Sequence, residues 1–386
     1  MDNITEQKPK RDVILDIVRG IGITLMVIGH IGYPLNTFIY LFHMALFFII
    51  SGYFFRDKCW QTPLDVKNFI MRKIKTLYLP FVIFNVIFVL LHNFFININF
   101  YTANFMFEFR GYTFMPTNYY TFGQTIKSII YTLLLSHRER LLGATWFLIV
   151  LFFVSVASCL GHYLVNKYVP KEKVKYVILS LYTFAFILGY IFSQINFNFY
   201  LIGTMFTASG LFYLGILIKK YGVYFFNKSL WKIILTCIAC IGLIVSSLLH
   251  IKIEISANSY PNPLYLLIIS YFGFVFVYGV SLLISKIKVC TDIFVYLGQI
   301  TLYILLFNGI SFKIFSYIQI KMFNYPDTLL FMPPIMAENI HQTWPFYVIS
   351  GIVGSIAVMY ICKLFLLIIN IIRIKLIKLK EHNGGG

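Results

Sequence analysis

Ten apolar stretches, each long enough to cross a lipid bilayer, succeed one another along this chain. They fall near residues 13–31, 35–55, 74–98, 144–165, 174–192, 198–218, 231–250, 263–285, 292–316 and 344–372. A helix of about twenty apolar residues spans the hydrocarbon core. No water is present there to hydrogen-bond the backbone, so each stretch must satisfy its own amides and carbonyls. The expected fold class is therefore all-α: a polytopic integral membrane helix bundle of about ten transmembrane helices. Composition agrees. Of 386 residues, 59% are hydrophobic and 12% charged, about half the charge of a soluble domain.

The net charge of +18 would suggest nucleic acid in a soluble protein, but here its distribution decides the reading. Ten spans put both termini on one side. That side carries 24 Lys and Arg; the other carries seven (Arg110, Lys127, Arg138, Arg140, Lys252, Lys313 and Lys321), and Arg19 lies within the first span. By the positive-inside rule both termini are cytoplasmic. Membrane lipids, not nucleic acid, are the expected surroundings, and a bacterial plasma membrane the expected location. Residues 1–12 form a cytoplasmic tail, 13–372 the ten-helix domain and 373–386 a basic cytoplasmic tail; Gly384, Gly385 and Gly386 read as an appended remnant. No cleavage pattern follows the first apolar run, so it reads as a retained helix rather than a signal peptide. The six cysteines are scattered as small buried or membrane-facing residues, and no metal site is expected. Two outer segments are long. Residues 99–143 are rich in Tyr, Phe and Asn and include an amphipathic stretch at 124–136, while 317–343 contain Pro326, Pro333 and Pro334. Long loops on one face commonly build a substrate site.

The first span carries charge where charge is costly. Asp16 and Arg19 stand three residues apart, and His30 follows eleven residues after Arg19. Eleven residues are about three turns, so Arg19 and His30 share one helix face, roughly 16 Å apart along the axis. Ionisable residues inside a membrane usually face a protein interior or a wet path and act there. Asp16 and Arg19 can form a self-neutralising pair. Arg19 can instead offer its planar fork to phosphate, with Arg72, Lys73 and Lys75 on the same cytoplasmic face; those three also suit simple positive-inside anchoring. His30 can serve as a general base at neutral pH or make an interhelical bond. His43 follows across the turn Gly32-Tyr33-Pro34 and can reach the same cavity. Trp146 opens the fourth span either as an interfacial anchor or as part of a substrate site. Arg138 and Arg140, just before it, can attract an anionic or sugar-bearing headgroup. Gln299, Tyr303 and Asn308 read as interhelical hydrogen-bonding residues.

Arg19 and His30 with ten residues between them resemble the R-x10-H signature of the acyltransferase 3 family. Phe42-His43-Met44-Ala45-Leu46-Phe47-Phe48, followed by Ser51-Gly52, is similar to that family's F-H-M-P-L-F-F-x-x-S-G. Trp146-Phe147-Leu148 resembles its W-F-L, and Arg72 to Pro80 its basic entry to the third helix. The opening Asp16 to Ile23 is most similar to the fucose 4-O-acetylase-like branch. Ala45 stands where the family usually has proline, and Asn308 where many members have histidine. The resemblance implies an integral-membrane O-acetyltransferase that takes acetyl from cytoplasmic acetyl-CoA, the donor substrate, and places it on a hydroxyl of a carbohydrate or glycolipid acceptor. It implies catalytic roles for His30, Arg19 and His43, and donor binding by Arg19, Arg72, Lys73 and Lys75. Acceptor binding would fall to Asp16, Trp146, Arg138 and Arg140. A homo-oligomer and polysaccharide-assembly partners stay open. The residues themselves also admit a transporter of an anionic metabolite or polysaccharide precursor, with Arg19 and His30 lining its path, and a non-catalytic polysaccharide-assembly protein.

Overall fold

Apolar length becomes helix, as the hydrocarbon argument requires. The computed structural model describes residues 12–32, 35–102, 107–109, 112–114, 117–226, 229–332, 334–335, 340–365 and 367–368. Among the described residues, ten helices of 18–29 residues are long and apolar enough to cross a membrane. They are α1 (Val13–Ile31), α2 (Asn36–Tyr53), α3 (Pro63–Leu90), α5 (Arg140–Tyr168), α6 (Lys171–Gln194), α7 (Phe199–Gly222), α8 (Leu230–Leu248), α9 (Pro263–Ile284), α11 (Thr301–Phe323) and α12 (Ile340–Phe365). Two shorter helices, α4 (Phe122–Leu133) and α10 (Lys288–Gln299), complete the set used below. A two-stranded hairpin, Phe107–Phe109 against Tyr112–Phe114, and an isolated bridge between Glu254 and Ser259 depart from all-α structure among the described residues. The tail residues Lys8, Lys10 and Arg11, the turn residues Tyr33 and Pro34, and Arg110, Pro116, Lys228, Pro333 and 373–386 lie outside the described residues.

Three boundaries differ from the hydropathy reading, each for a local reason. Helix α3 begins at Pro63, eleven residues before the apolar run. The Thr62 hydroxyl accepts the Asp65 amide at 3.2 Å and the Asp65 carboxylate accepts the Thr62 amide at 3.0 Å, a capping box, with Pro63 in the first turn. The helix then widens into a π turn over Ile74–Tyr78, just before Pro80, which has no amide to donate to the ladder. Helix α2 breaks at Phe42 (φ −147°, ψ −18°), so His43 is the first residue of its second half. The ninth apolar run is likewise two helices. Ile300 leaves helical geometry (φ −102°, ψ 14°), and the Thr301 hydroxyl donates to the Gly298 carbonyl at 2.8 Å across the break. Lys313, counted with the outer-side cations, is buried inside α11 instead.

The chain forms two compact units, Met1–Val82 with Trp146–Thr301 and Ile83–Thr145 with Leu302–Gly386. In the first, α1 packs against α10 and α9. A Cβ at Gly20 would run into the Phe294 carbonyl, and one at Gly298 into the Asp16 carbonyl. These two glycines let the helices touch backbone to backbone, as small residues do between membrane helices. The second half of α2 meets α7, and α5 meets α3. In the second unit, a polar seam joins α11 to α12: the Tyr347 hydroxyl donates to Gln319 at 2.6 Å and accepts the Ile335 amide at 2.9 Å.

Candidate functional site

The first unit places ionisable groups at both ends of α1. At the N-terminal end Asp12 caps the helix, its carboxylate accepting the Leu15 amide at 3.2 Å. One turn later Arg19 donates to Asp16 at 3.5 Å. The pair is lopsided: the Asp16 side chain is 3% exposed and that of Arg19 34%. The guanidinium therefore keeps an accessible edge, and it stacks over the Phe54 ring at 4.6 Å. Arg72 and Lys73 lie over Phe69 at 5.2 and 5.3 Å, and Lys73 is close enough to Arg72 and Arg19 to feel both charges. Three cations thus share one region with Asp16, an arrangement that favours a bound anion. Lys75 is exposed.

At the other end, Gly32 closes α1 in the left-handed region (φ 72°), its amide bonded to the Gly29 carbonyl. His30 Nδ1 stands 2.8 Å from the Met26 carbonyl. A carbonyl only accepts, so Nδ1 carries the proton and Nε2 presents its lone pair as an acceptor. His30 as a whole residue is exposed, so water or a small substrate can approach it. His43 is buried, and its Nδ1 donates in the same way to the Ile39 carbonyl at 2.9 Å, across the break in α2. The Tyr40 ring lies 4.9 Å from that of His43, and His30 and His43 are near enough to influence one another. The structure therefore brings the two histidines together.

Sequence reasoning missed a carboxylate at this end. Glu254 bears electrostatically on both His30 and Tyr40. It sits on the loop between α8 and α9, where it pairs with Ser259 in an isolated bridge. The loop is pinned to α7 and α6: Thr207 donates to the Asn258 side chain at 2.7 Å, and Asn258 donates to the Gly189 carbonyl at 2.9 Å. The one available signal was that Glu254 is the sole acid in residues 249–262. Trp146 is buried against Phe48, ring centres 6.4 Å apart, and Phe147 packs 5.0 Å from the same ring. That places the tryptophan inside the first unit, not on a lipid-facing belt.

Arg138 and Arg140 belong to the second unit, where they line a polar cavity of about 340 Å³ with His92, Tyr120, Gln124 and His137. Its wall is built on Glu139, which is 2% exposed. His92 Nδ1 lies 3.1 Å from the carboxylate, the Tyr101 hydroxyl donates at 3.0 Å, and the Asn85 side chain accepts the Glu139 amide at 3.0 Å. Burial alone would raise the Glu139 carboxyl, but hydrogen bonds from His137, His92 and Tyr101 outweigh it and hold the group down at about 2. Burial, and then the Glu139 charge, push the Tyr101 phenol up. His92 Nε2 also faces a carbonyl, that of Asn118, at 3.1 Å. Both its partners only accept, so both ring nitrogens donate, which is the imidazolium form. Tyr120 stacks on this ring at 3.6 Å.

The arrangement can hold an anion beside Arg19, Arg72 and Lys73, and can take a proton at His30 Nε2. The acyltransferase 3 family model, described as an acyltransferase domain, matches this sequence over residues 12–364. No similar protein of curated function and no similar solved structure was found.

Proposed function

The chain belongs to the acyltransferase 3 family, and from that premise we propose that it is a membrane O-acetyltransferase acting on a cell-surface carbohydrate or lipid-linked glycan. The observation that carries the reading is the hydrogen bond from His30 Nδ1 to the Met26 carbonyl, which leaves Nε2 as a base in an exposed residue. In this reading acetyl-CoA, the donor substrate, rests its phosphates on Arg19, Arg72 and Lys73 from the cytoplasmic side. The acceptor sugar comes to His30. Nε2 takes the hydroxyl proton as the oxygen attacks the thioester carbonyl; the C–S bond breaks, and the proton passes on to the sulfur to release free coenzyme A. His43 supports the His30 end, with its own Nδ1 fixed on Ile39.

The test is acetyl transfer from labelled acetyl-CoA to surface glycan by purified protein. His30→Ala is expected to lower the rate by about 10²–10⁴-fold with the thermal melting profile unchanged. Wild-type transfer by a folded His30→Ala protein sinks the assignment.

A further inference from the structure

Two cavities of the first unit meet at common residues. One, of about 540 Å³, lies between α5, α6 and α7 and is walled almost entirely by apolar side chains such as Phe153, Ala157, Leu181 and Phe206. The other, of about 960 Å³, carries Arg56, Lys171, Lys175, Lys219 and Lys220 against a single carboxylate, Asp57. His162 and Ile178 line both. Cations gathered in a concavity raise the local potential and attract anions. Trp60 lines the basic cavity too, and its buried indole N–H has no acceptor among the described residues. At the margin of the apolar cavity Phe153 and Leu181 are exposed, on helix surfaces that face lipid in a membrane-spanning bundle, so a hydrocarbon chain has sideways access.

We propose that this composite cavity binds an anionic phospholipid, with the headgroup phosphate among the five cations and one acyl chain in the apolar cavity. The donor substrate shares the phosphate chemistry, but its pantetheine arm carries two amides and a hydroxyl that walls of apolar side chains would leave unpaired. Neither Arg19 nor His30 lines either cavity, and the assignment does not depend on the acetyltransferase reading.

Full-length protein in detergent, titrated with phosphatidylglycerol, phosphatidylcholine and acetyl-CoA and read by native mass spectrometry, tests this. Phosphatidylglycerol is expected to bind roughly tenfold more tightly than phosphatidylcholine, and the double change Lys171→Ala/Lys175→Ala to weaken it about thirtyfold. Gly161→Phe fills the apolar cavity from a position where an added Cβ meets nothing within 4 Å. It is expected to lower lipid affinity roughly tenfold and leave acetyl-CoA binding as it was. Equal binding of the two lipids, or lipid binding indifferent to both variants, means unspecific annular contact and overturns the proposal. So does loss of acetyl-CoA binding in the lysine variant with lipid binding intact, which gives the cavity to the donor.

Discussion

His30 and His92 are the same side chain put to opposite uses, one in each unit. Both rings are held by the chain, but His30 has one nitrogen fastened to a backbone carbonyl, whereas His92 has both nitrogens fastened, to Glu139 and to the Asn118 carbonyl. A ring with one nitrogen open is oriented and still basic. A ring with both nitrogens donating is a charged brace with no lone pair to offer. Between these two rings, the count of fixed nitrogens separates a base from a strut.

The sharpest way to break this contrast is to remove each ring. His30→Ala should abolish most acetyl transfer, about 10²–10⁴-fold, and leave stability alone. His92→Ala should do its damage in the melt. It strips a buried carboxylate of its charged partner, which typically costs about 3–5 kcal/mol, read as a fall in melting temperature in detergent. If His92→Ala melts like the wild type while His30→Ala unfolds, the contrast is reversed and the assignment of the base fails.

Acid titration asks the same question of Glu139. Its carboxyl is held at about 2, below the ordinary 4.5. A depressed carboxylate contributes stability that is fully present above its unfolded value and is lost as pH falls through the folded one. Stability should therefore decline between about pH 4.5 and pH 2, by about 3 kcal/mol in all. Glu139→Gln should be less stable at neutral pH and should lose this part of the acid slope. A variant that keeps the wild-type slope would show that other carboxylates produce it.

Arg19 gives the next largest expected effect. Its guanidinium has one edge on Asp16 and one accessible, so Arg19→Ala should raise the KM for acetyl-CoA about 10- to 100-fold and change kcat less. Arg19→Lys keeps the charge but loses the fork and should fall between. An unchanged KM in Arg19→Ala would return Arg19 to the role of partner to Asp16 alone.

Much of the fold was legible because hydrocarbon leaves the backbone one solution. Apolar runs became helices nearly where hydropathy put them. What escaped was decided by single side chains. Thr62 and Asp65 cap α3 early; Gly298 draws α10 against α1, and the chain leaves helical geometry at Ile300, so one apolar run became two helices. Lys313 looked like a loop cation, yet its Nζ donates to the Phe100 and Leu330 carbonyls at 2.9 and 2.7 Å inside the second unit. The site divides in the same way. Arg19 and His30 were readable because both lie on one helix, where spacing is geometry. Glu254 and the His92–Glu139 pair were not, because 224 and 47 residues of sequence separate the partners and no local pattern encodes contacts that only the packed helices create.

Glu254 yields the smallest expected effect and the most discriminating one. The carboxylate is held on its loop by the Ser256 amide at 3.3 Å and by the Ser256 hydroxyl, and it acts on His30 through charge. Glu254→Gln keeps the shape and an acceptor for Ser256 while removing that charge. If the carboxylate serves to stabilise the protonated ring that forms as His30 takes the hydroxyl proton, kcat should fall about fivefold, the equivalent of about 1 kcal/mol of lost attraction. The KM for acetyl-CoA and the melting temperature should both hold. A loss as deep as that of His30→Ala would mean that Glu254 itself touches the reacting atoms. No change at all would leave it a brace for its loop, and His30 would then work without a carboxylate behind it.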